Sequence, residues 1–421
     1  MNETKGRTAA AAALLALLAG PAGADGPPTT NPPQPSLSLK ARIDFAVAFG
    51  RAEGAWERSL VVGAISGSQA GVYYYGATPQ DVPSYNWTFR IGSITKTMTA
   101  ALLALQEHSG MRVGACGQLT APTRVQDKLD ELCPGCDPLP WQRAFITVSQ
   151  LATHHAGLTK RPPVGYCTRR GAYESLSASS YDESARPPEC AEGTREEGAP
   201  DDPLEDIAAG YRYSNWGFTV LGQLLTDNAG YSSWTALDRD QVLGPLGMTH
   251  TKVNGESFAG LVKAPRSSCD ASGCTTLPEQ PFADISVPAG GLWSTGPDMM
   301  RYLRFAMNLP ALEPSPAADR LYAARSLIFC SRASGKDNYD ETAGWMGLGW
   351  NRNTIGPADP GAPATDNPND LIWWKGGDWS TYHAYIAFSP AKNVGVFVLS
   401  NTDHPDSAGP GTIGRHLLRS F

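Results

Sequence analysis

The sequence has no excess of positive charge. Its 34 lysines and arginines are outnumbered by 41 aspartates and glutamates, which gives a formal net charge of -7 at pH 7. Binding to nucleic acid or to an anionic membrane surface depends on clustered basic residues, so this balance disfavours both. We therefore expect the partner to be a small-molecule or peptide substrate, with no nucleic acid involved.

Metal-binding histidine spacing is also missing. The chain has seven histidines. His154 and His155 are adjacent, so their side chains point in different directions, and neither has the H-E-x-x-H spacing of a zinc site. We interpret this pair as structural, and we expect neither a metal nor a cofactor.

An apolar run near the N-terminus, TAAAAALLALLAG, is too short to cross a bilayer. Lys5 and Arg7 precede the run, and Ala22-Gly23-Ala24 supplies the small residues of a cleavage site. Residues 1–24 are therefore predicted to be a signal peptide, and the Pro-rich residues 25–38 a disordered tether. We expect a periplasmic or secreted protein that keeps no stable membrane span after cleavage.

Eight cysteines are present, an even number that suits disulfide bonding in an exported chain. The spacing of Cys133-Pro-Gly-Cys136 also occurs in redox motifs. No strand-helix-strand unit surrounds it, so a structural bridge is favoured. The predicted pairs join neighbours in the sequence: Cys269 with Cys274, Cys167 with Cys190, and Cys133 with Cys136.

Two kinds of periodicity divide the rest of the chain. Residues 39–52 are predicted to form a helix, and β-rich runs from Leu60 and Gly71 to form a hairpin. A helical period follows from Ser93. Near the C-terminus, LIWWKGG, HAYIAFSP and NVGVFVLSN are β-rich, and TIGRHLLRSF is predicted to be a helix. This order predicts an α+β fold, with one antiparallel sheet flanked by helices plus a mostly helical lobe.

We expect a single catalytic domain over residues 39–421. Its α/β part would comprise about residues 39–100 and 265–421, and its helical lobe about residues 101–264. Residues 160–204, which are rich in proline and charge, form a long insertion in the lobe. This insertion is either disordered or a lid over the site.

The segment Ser93-Ile-Thr-Lys96 is the first part of a candidate active site. Residues three apart share one face of a helix, so Lys96 can reach the Ser93 hydroxyl. Ser93 is the first residue of the predicted helix, where backbone N–H groups favour developing negative charge. Gly92, which has no side chain, lets a backbone or a substrate come close to the serine. Ser389 and Lys392 have the same spacing, but in a Pro-containing turn that would not hold them together. A G-x-S-x-G elbow is absent around Ser93, so a Ser-His-Asp arrangement is not supported.

Tyr213-Ser-Asn215 is the only Y-x-N in the chain, and Lys375 begins the only K-x-G. A serine nucleophile needs a base for its proton. Lowering a tyrosine pKa by about three units costs ~4 kcal/mol, roughly what one ammonium ~4 Å away supplies. With Lys96 and Lys375 beside it, Tyr213 is predicted to accept the Ser93 proton, directly or through Lys96, and later to activate the deacylating water.

The remaining residues of these motifs are predicted to bind substrate. Asn215 would hold Lys96 or the substrate amide by hydrogen bonds. Backbone N–H groups of Ser93 and Asp378 would form an oxyanion hole, with Gly376 and Gly377 beside it.

These motifs resemble those of the serine β-lactamase-related hydrolases. That family includes class C β-lactamases, D-Ala-D-Ala carboxypeptidases, D-aminopeptidases and related carboxylesterases. The similarity extends from FRIGSITKTMTA, YSNWG and KGG to LATHHAGL, QVLGPLGMTHT and PAGGLWSTGPDMMRYL, and spans nearly all of the chain after the tether except residues 160–204. It implies a β-lactamase/transpeptidase-like fold and a metal-free acyl-serine mechanism. By resemblance, the catalytic residues are Ser93, Lys96, Tyr213, Asn215 and Lys375.

The third motif departs from the family's commonest form, which has a hydroxyl residue where this chain has Gly376. That hydroxyl often helps to bind a substrate carboxylate. Asp378 adds negative charge where penicillins and D-Ala-terminated peptides would place theirs. Trp373 and Trp374 alternate on their strand, so at most one can line the acyl pocket. We therefore expect an ester, amide or D-amino-acid peptide that lacks this carboxylate or carries an amine.

Three functions stay open. The leading hypothesis is an exported serine hydrolase that forms an acyl-enzyme on such an ester, amide or peptide. The alternative is a class C-type β-lactamase or a penicillin-binding D-Ala-D-Ala carboxypeptidase. The third is a non-catalytic module that binds cell wall or β-lactams. The sequence leaves the oligomeric state open.

Overall fold

The computed structural model describes residues 37–52, 59–76, 84–114, 122–141, 143–161, 166–177, 210–254, 256–270, 273–279, 282–330, 333–337, 340–355, 370–403 and 409–421. The predicted signal peptide, nearly all of the tether and most of the predicted insertion lie outside these ranges. Within them, no helix is long and apolar enough to cross a bilayer. No group of three His, Cys, Asp or Glu side chains within them is arranged to hold a metal ion.

The strands of the described residues are β1 (Ser59–Ser66), β2 (Gln69–Gly76), β3 (Trp87–Arg90), β4 (Val262–Lys263), β5 (Ser267–Asp270), β6 (Gly273–Thr276), β7 (Trp293–Thr295), β8 (Ala333–Asp337), β9 (Asp340–Met346), β10 (Asn351–Thr354), β11 (Leu371–Trp379), β12 (Tyr382–Ser389) and β13 (Val394–Ser400). Eight of them form one antiparallel sheet in the order β2-β1-β13-β12-β11-β10-β9-β8. A smaller sheet has the order β4-β3-β7, and β5 pairs with β6. The predicted hairpin and C-terminal strands are confirmed.

The helices of the described residues are α1 (Leu39–Ala52), α2 (Thr95–Leu105), α3 (Val125–Leu132), α4 (Val148–Ala152), α5 (Arg169–Glu174), α6 (Asn215–Asn228), α7 (Trp234–Asp238), α8 (Val287–Gly290), α9 (Gly296–Ala306), α10 (Pro316–Ile328) and α11 (Pro410–Arg419). The helices predicted at both ends of the chain are confirmed. Strand β7 separates α8 from α9. The Thr295 side chain caps α9 by accepting from the Asp298 amide.

The central strands of the large sheet, β1, β13, β12 and β11, are covered on both faces. Alternate strand residues such as Leu60, Val62 and Trp374 pack under α1 and α11, which contribute Ile43 and Leu417 to the same cluster. The intervening residues pack into a second cluster under the other helices. Its members include Val61, Trp373, Ile386, Phe397, Met98, Leu221 and Leu303. Burial on both faces explains why these strands are almost continuously apolar.

Trp373 and Trp374 lie in different clusters, as strand alternation predicts. Trp373 packs edge-on against Phe329, and the indole N–H of Trp374 donates to the Asn353 side chain. Both indoles therefore have structural contacts within the protein.

Two of the predicted disulfides are confirmed. Cys269 and Cys274 join β5 to β6, and Cys133 and Cys136 bridge the turn after α3. Cys167 is also disulfide-bonded. Its predicted partner, Cys190, lies outside the described residues, so that pairing stays a prediction.

Candidate active site

Ser93 lies in a single 3₁₀ turn, Gly92–Ile94, that leads directly into α2. Gly92 has φ +47°, a left-handed conformation that glycine adopts without steric cost. α2 is buried from Thr95 to Ala104, because neighbouring helices, among them α6, α8 and α10, pack around it. Ser93 is therefore presented by a rigid element.

Lys96 is fully buried, one helical turn after the serine. Its Nζ lies 3.1 Å from Ser93 Oγ, 2.7 Å from Asn215 Oδ1 and 2.5 Å from the carbonyl oxygen of Ala289. An amide oxygen and a carbonyl can only accept, so Lys96 donates to both. These acceptors offset the cost of burying an amine or ammonium.

Tyr213 completes the contacts of the serine, because its Oη makes a short hydrogen bond to Ser93 Oγ. The Nζ atoms of Lys96 and Lys375 lie 5.0 Å and 5.2 Å from the centroid of the tyrosine ring. Two cations at this range favour negative charge on the phenol oxygen. The site thus has a hydroxyl, a phenol and two amines in mutual reach.

The start of α6 holds the Y-x-N motif in place. Ser214, the N-cap residue, accepts a hydrogen bond from the Gly217 amide at 2.8 Å and donates from Oγ to the Thr159 carbonyl at 2.7 Å. Tyr213 and Asn215 flank this cap, so the geometry that begins the helix also fixes both side chains.

Strand β11 supplies Lys375, whose side chain is buried. Pairing with β10 covers only Leu371–Trp374, whereas pairing with β12 continues to Trp379. The Gly92–Ile94 turn packs against β11. The K-x-G motif therefore lies on the part of β11 that pairs with β12 but no longer with β10.

Glycines permit this approach of turn and strand. A Cβ on Gly92 would lie 2.6 Å from the Asp378 amide nitrogen, and a Cβ on Gly377 would lie 2.0 Å from the Ile91 carbonyl oxygen. Gly376 differs, since the nearest atom to its Cβ position is a Trp374 ring carbon at 3.9 Å. The first two glycines are required by packing, and Gly376 leaves room for a side chain.

Asp378 lies at the exposed end of the motif. Its Oδ1 is 2.7 Å from Nδ1 of His383, its cross-strand neighbour on β12. Nε2 of the same histidine lies 3.9 Å from Asp403 Oδ1. Two carboxylates thus share one imidazole beside the turn that carries Ser93.

The structure brings together all the side chains that the three motifs predict, and it adds two partners. One is the Ala289 carbonyl, which a sequence does not mark, because every residue has one. Its helix α8 is fastened to α2, where Thr99 Oγ1 donates to the Pro288 carbonyl at 2.7 Å. The other is His154, whose ring lies 4.5 Å from the Tyr213 ring.

Comparison with known proteins yields one family and one fold. The Beta-lactamase family model matches residues 63–419. The D-alanyl-D-alanine-carboxypeptidase/endopeptidase AmpH of Escherichia coli K12 is 28% identical over 365 residues, which cover 82% of this chain and 79% of AmpH.

Solved structures agree on the architecture. The D-alanine carboxypeptidase AmpC of Burkholderia cenocepacia has a TM-score of 0.61 at 21% identity, covering 91% of this chain and 99% of its own. A beta-lactamase from Sulfitobacter sp. EE-36 has a TM-score of 0.63 at 20% identity, and the match covers 91% of this chain and 98% of that beta-lactamase. These likenesses confirm the predicted α+β, β-lactamase/transpeptidase-like fold.

Proposed function

This chain belongs to the beta-lactamase family and is a serine hydrolase, and on that premise we propose that it cleaves its substrate through an acyl-enzyme at Ser93. The observation that carries the proposal is the shared contact of Ser93 Oγ with Lys96 Nζ and Tyr213 Oη. A serine hydroxyl becomes a competent nucleophile when a neighbouring group takes its proton in the transition state.

The hydrogen bonds of Lys96 favour Tyr213 as the final proton acceptor. As an ammonium, Lys96 donates to Ser93, Asn215 and Ala289 and has no lone pair, so the serine proton goes to Tyr213. As a neutral amine, Lys96 accepts the serine proton and can release one to Tyr213. Both routes end with the proton on the phenol oxygen of Tyr213, which lies beside the Lys375 ammonium in either case and beside a second ammonium when Lys96 is charged.

The acyl transfer then has a complete set of partners. Ser93 Oγ bonds to the substrate carbonyl carbon, and the leaving amine or alcohol takes its proton from Tyr213. The amides of Ser93 and Asp378 are proposed to stabilise the tetrahedral oxyanion. Water, deprotonated by the Tyr213 phenolate, attacks the acyl carbon and displaces Ser93 Oγ, which takes the proton back from Tyr213 as the acid is released. Lys375 stabilises the negative charge of the phenolate.

We propose peptide amides and esters at D-amino acids as the substrate class. The relatives named above include a D-alanyl-D-alanine-carboxypeptidase/endopeptidase and a D-alanine carboxypeptidase. Gly376 supplies no hydroxyl, and Asp378 places a carboxylate close to the site. Bonds without a carboxylate on the leaving group are therefore favoured over terminal D-Ala bonds. A class C-type β-lactamase is the second candidate, supported by the neighbouring beta-lactamase structures.

The experiment is intact-mass spectrometry after addition of a penicillin, alongside turnover of nitrocefin, a p-nitrophenyl ester and D-Ala-D-Ala peptides with free or amidated C-termini. Ser93→Ala should abolish adduct and turnover. Ser389→Ala is the matched control. The Lys392 Nζ lies 3.6 Å from Asp370 Oδ1, and it is the Lys392 backbone amide that donates to Ser389 Oγ. Equal turnover in wild type and Ser93→Ala would refute the acyl-enzyme. Preference for the free carboxylate would refute the proposed substrate class.

We further propose that the protein is exported, as the N-terminal 24 residues predict. The disulfide-bonded cysteines support this, because such bonds persist in oxidising compartments. N-terminal sequencing of the purified protein from its native host should find a start near residue 25. An intact Met1 would contradict export by a cleaved signal.

A further inference from the structure

His154 is a buried histidine in contact with the candidate base. It follows α4 in a turn with φ +61°, and 1% of its surface is exposed. Its ring lies 4.5 Å from the Tyr213 ring and 5.0 Å from the Phe218 ring. A non-glycine residue in the left-handed region is uncommon, and it persists where surrounding contacts hold it.

His154 accepts two hydrogen bonds, from the residues immediately before and after Tyr213 in the sequence. The Arg212 amide donates to the His154 carbonyl at 2.8 Å, and the Ser214 amide donates to His154 Nδ1 at 3.1 Å. One residue therefore fixes the backbone immediately before and immediately after the tyrosine, while its ring packs on the tyrosine ring.

The Ser214 contact also determines the protonation of the imidazole. Nδ1 accepts from a backbone N–H, so it carries no proton, and the ring proton lies on Nε2. Burial and the nearby Lys375, Lys96 and His155 lower the pKa of His154 well below its usual value. The ring is therefore neutral at pH 7, with Nδ1 available as an acceptor.

We propose that His154 is a positioning residue for the hydrolase reaction, holding the Tyr213 backbone and ring so that the phenol oxygen meets Ser93. The inference rests on the proposed function, because it assigns His154 to the base of that mechanism. It does not make His154 a proton carrier, since its ring faces the tyrosine ring and the Ser214 amide. Its two useful properties are an acceptor at Nδ1 and an aromatic surface.

Two substitutions separate these properties. His154→Asn places an amide oxygen close to the position of Nδ1, and asparagine tolerates positive φ better than most residues. His154→Phe keeps an aromatic ring but leaves the Ser214 amide without its acceptor. His155→Asn is the matched control, because His155 is bonded to the Thr153 carbonyl and its ring lies 5.9 Å from Tyr211.

The measurement is the rate at which a fluorophosphonate labels Ser93, which needs no knowledge of the natural substrate, together with kcat and KM on a p-nitrophenyl ester. We expect labelling and kcat to fall about 10- to 100-fold in His154→Phe, with KM little changed, since an unpaired buried amide displaces Tyr213. His154→Asn should retain most of the rate, and His155→Asn all of it. Circular dichroism spectra establish that each variant is folded.

A second variant keeps the inference testable if His154→Phe does not fold. His154→Gln keeps a polar side chain, but its amide lies one carbon further from the backbone than that of asparagine, so it leaves no acceptor at the position of Nδ1. Labelling should therefore fall in His154→Gln and be retained in His154→Asn.

The outcomes distinguish the two proposals. Wild-type protein that is not labelled at Ser93 contradicts the proposed function. Normal labelling of wild type with an equal rate in His154→Phe, or with His154→Gln labelled as fast as His154→Asn, overturns the positioning role alone. An equal loss in His155→Asn would also overturn it, because the effect would then not be specific to the residue that contacts Tyr213.

Discussion

Gly92 and Asp378 touch through their backbones, with the Cβ position of Gly92 2.6 Å from the Asp378 amide nitrogen. This contact brings the turn that carries Ser93 against the strand that carries Lys375. An oxyanion hole needs its two N–H donors about 3 Å from one point, so even a small separation of turn and strand weakens it. The following predictions test that geometry and the charges around it.

Gly92→Ala should lower kcat/KM by about 10²- to 10³-fold on a p-nitrophenyl ester, because the added methyl pushes the Asp378 amide away from the oxyanion. Gly67→Ala is the matched control. Gly67 also has positive φ, +56°, but nothing lies within 4 Å of its Cβ position. It should lose about 1–2 kcal/mol of stability by thermal unfolding and keep its activity. Equal losses of activity in both variants would contradict the proposed contact effect.

Gly376→Thr should fold as well as the wild type, since a Cβ there meets only one ring carbon at 3.9 Å and threonine suits a strand. We expect the added hydroxyl to raise kcat/KM for substrates with a carboxylate on the leaving group, measured with free and amidated D-Ala-D-Ala peptides. Gly377→Ala should instead be destabilised, because its Cβ would lie 2.0 Å from the Ile91 carbonyl oxygen. A poorly folded Gly376→Thr would show that the space is filled.

Asp378→Asn should raise kcat/KM for carboxylate-bearing peptides about two- to fivefold relative to their amidated forms, since it removes one exposed like charge. Salt should reduce this difference, because screening weakens interactions between exposed charges. The measurement is the ratio of kcat/KM values at low and high ionic strength. A ratio that is unaffected by the substitution would mean that Asp378 does not face the leaving group.

Tyr213→Phe should lower kcat about 10²- to 10⁴-fold with little change in the unfolding midpoint, because it removes only the hydroxyl proposed to take the Ser93 proton. Tyr211→Phe, two residues away, is the control and should remain active. Stopped-flow acylation with a p-nitrophenyl ester measures the step directly. Rapid acylation in Tyr213→Phe would assign the base to Lys96.

Stability should fall in acid because His154 is buried in its neutral form. Its pKa is lowered in the folded state, so the unfolded chain binds a proton first as the pH drops below about 6.5. The contribution of His154 is therefore complete above that pH and is lost below it, by at most about 1.4 kcal/mol per pH unit. Denaturant unfolding at pH 7.5 and 5.5 should show wild type losing more stability than His154→Asn. Parallel losses would contradict this assignment.

The sequence predicted the side chains of the site better than their surroundings. Ser93 and Lys96 are one helical turn apart, so local periodicity suffices to pair them. Tyr213 and Lys375 lie far from Ser93 in sequence. They were identified because the Y-x-N and K-x-G motifs each occur once in the chain and because these motifs resemble those of a known family. All four lie together in the structure.

What the sequence did not provide depends on long-range packing. The Ala289 carbonyl has no side-chain signature and contacts Lys96 across 193 residues. His154 could not be distinguished from His155, because the two are adjacent in sequence and only the folded structure shows which one is buried against Tyr213. Strand β7 was not predicted either, since its three residues are fixed by pairing with β3 and by a bridge to Lys252.

The pairing of β1 with β13 has a consequence for how the protein is made. The Ser59 amide bonds to the side chain of Asn401, across 342 residues, so the first strands have no sheet to join until nearly the whole chain exists. Contacts of such long sequence separation form slowly. An unfinished chain therefore carries Ser93 before the sheet that supplies Lys375 can be completed, so we expect the proposed site to assemble only when synthesis is nearly finished.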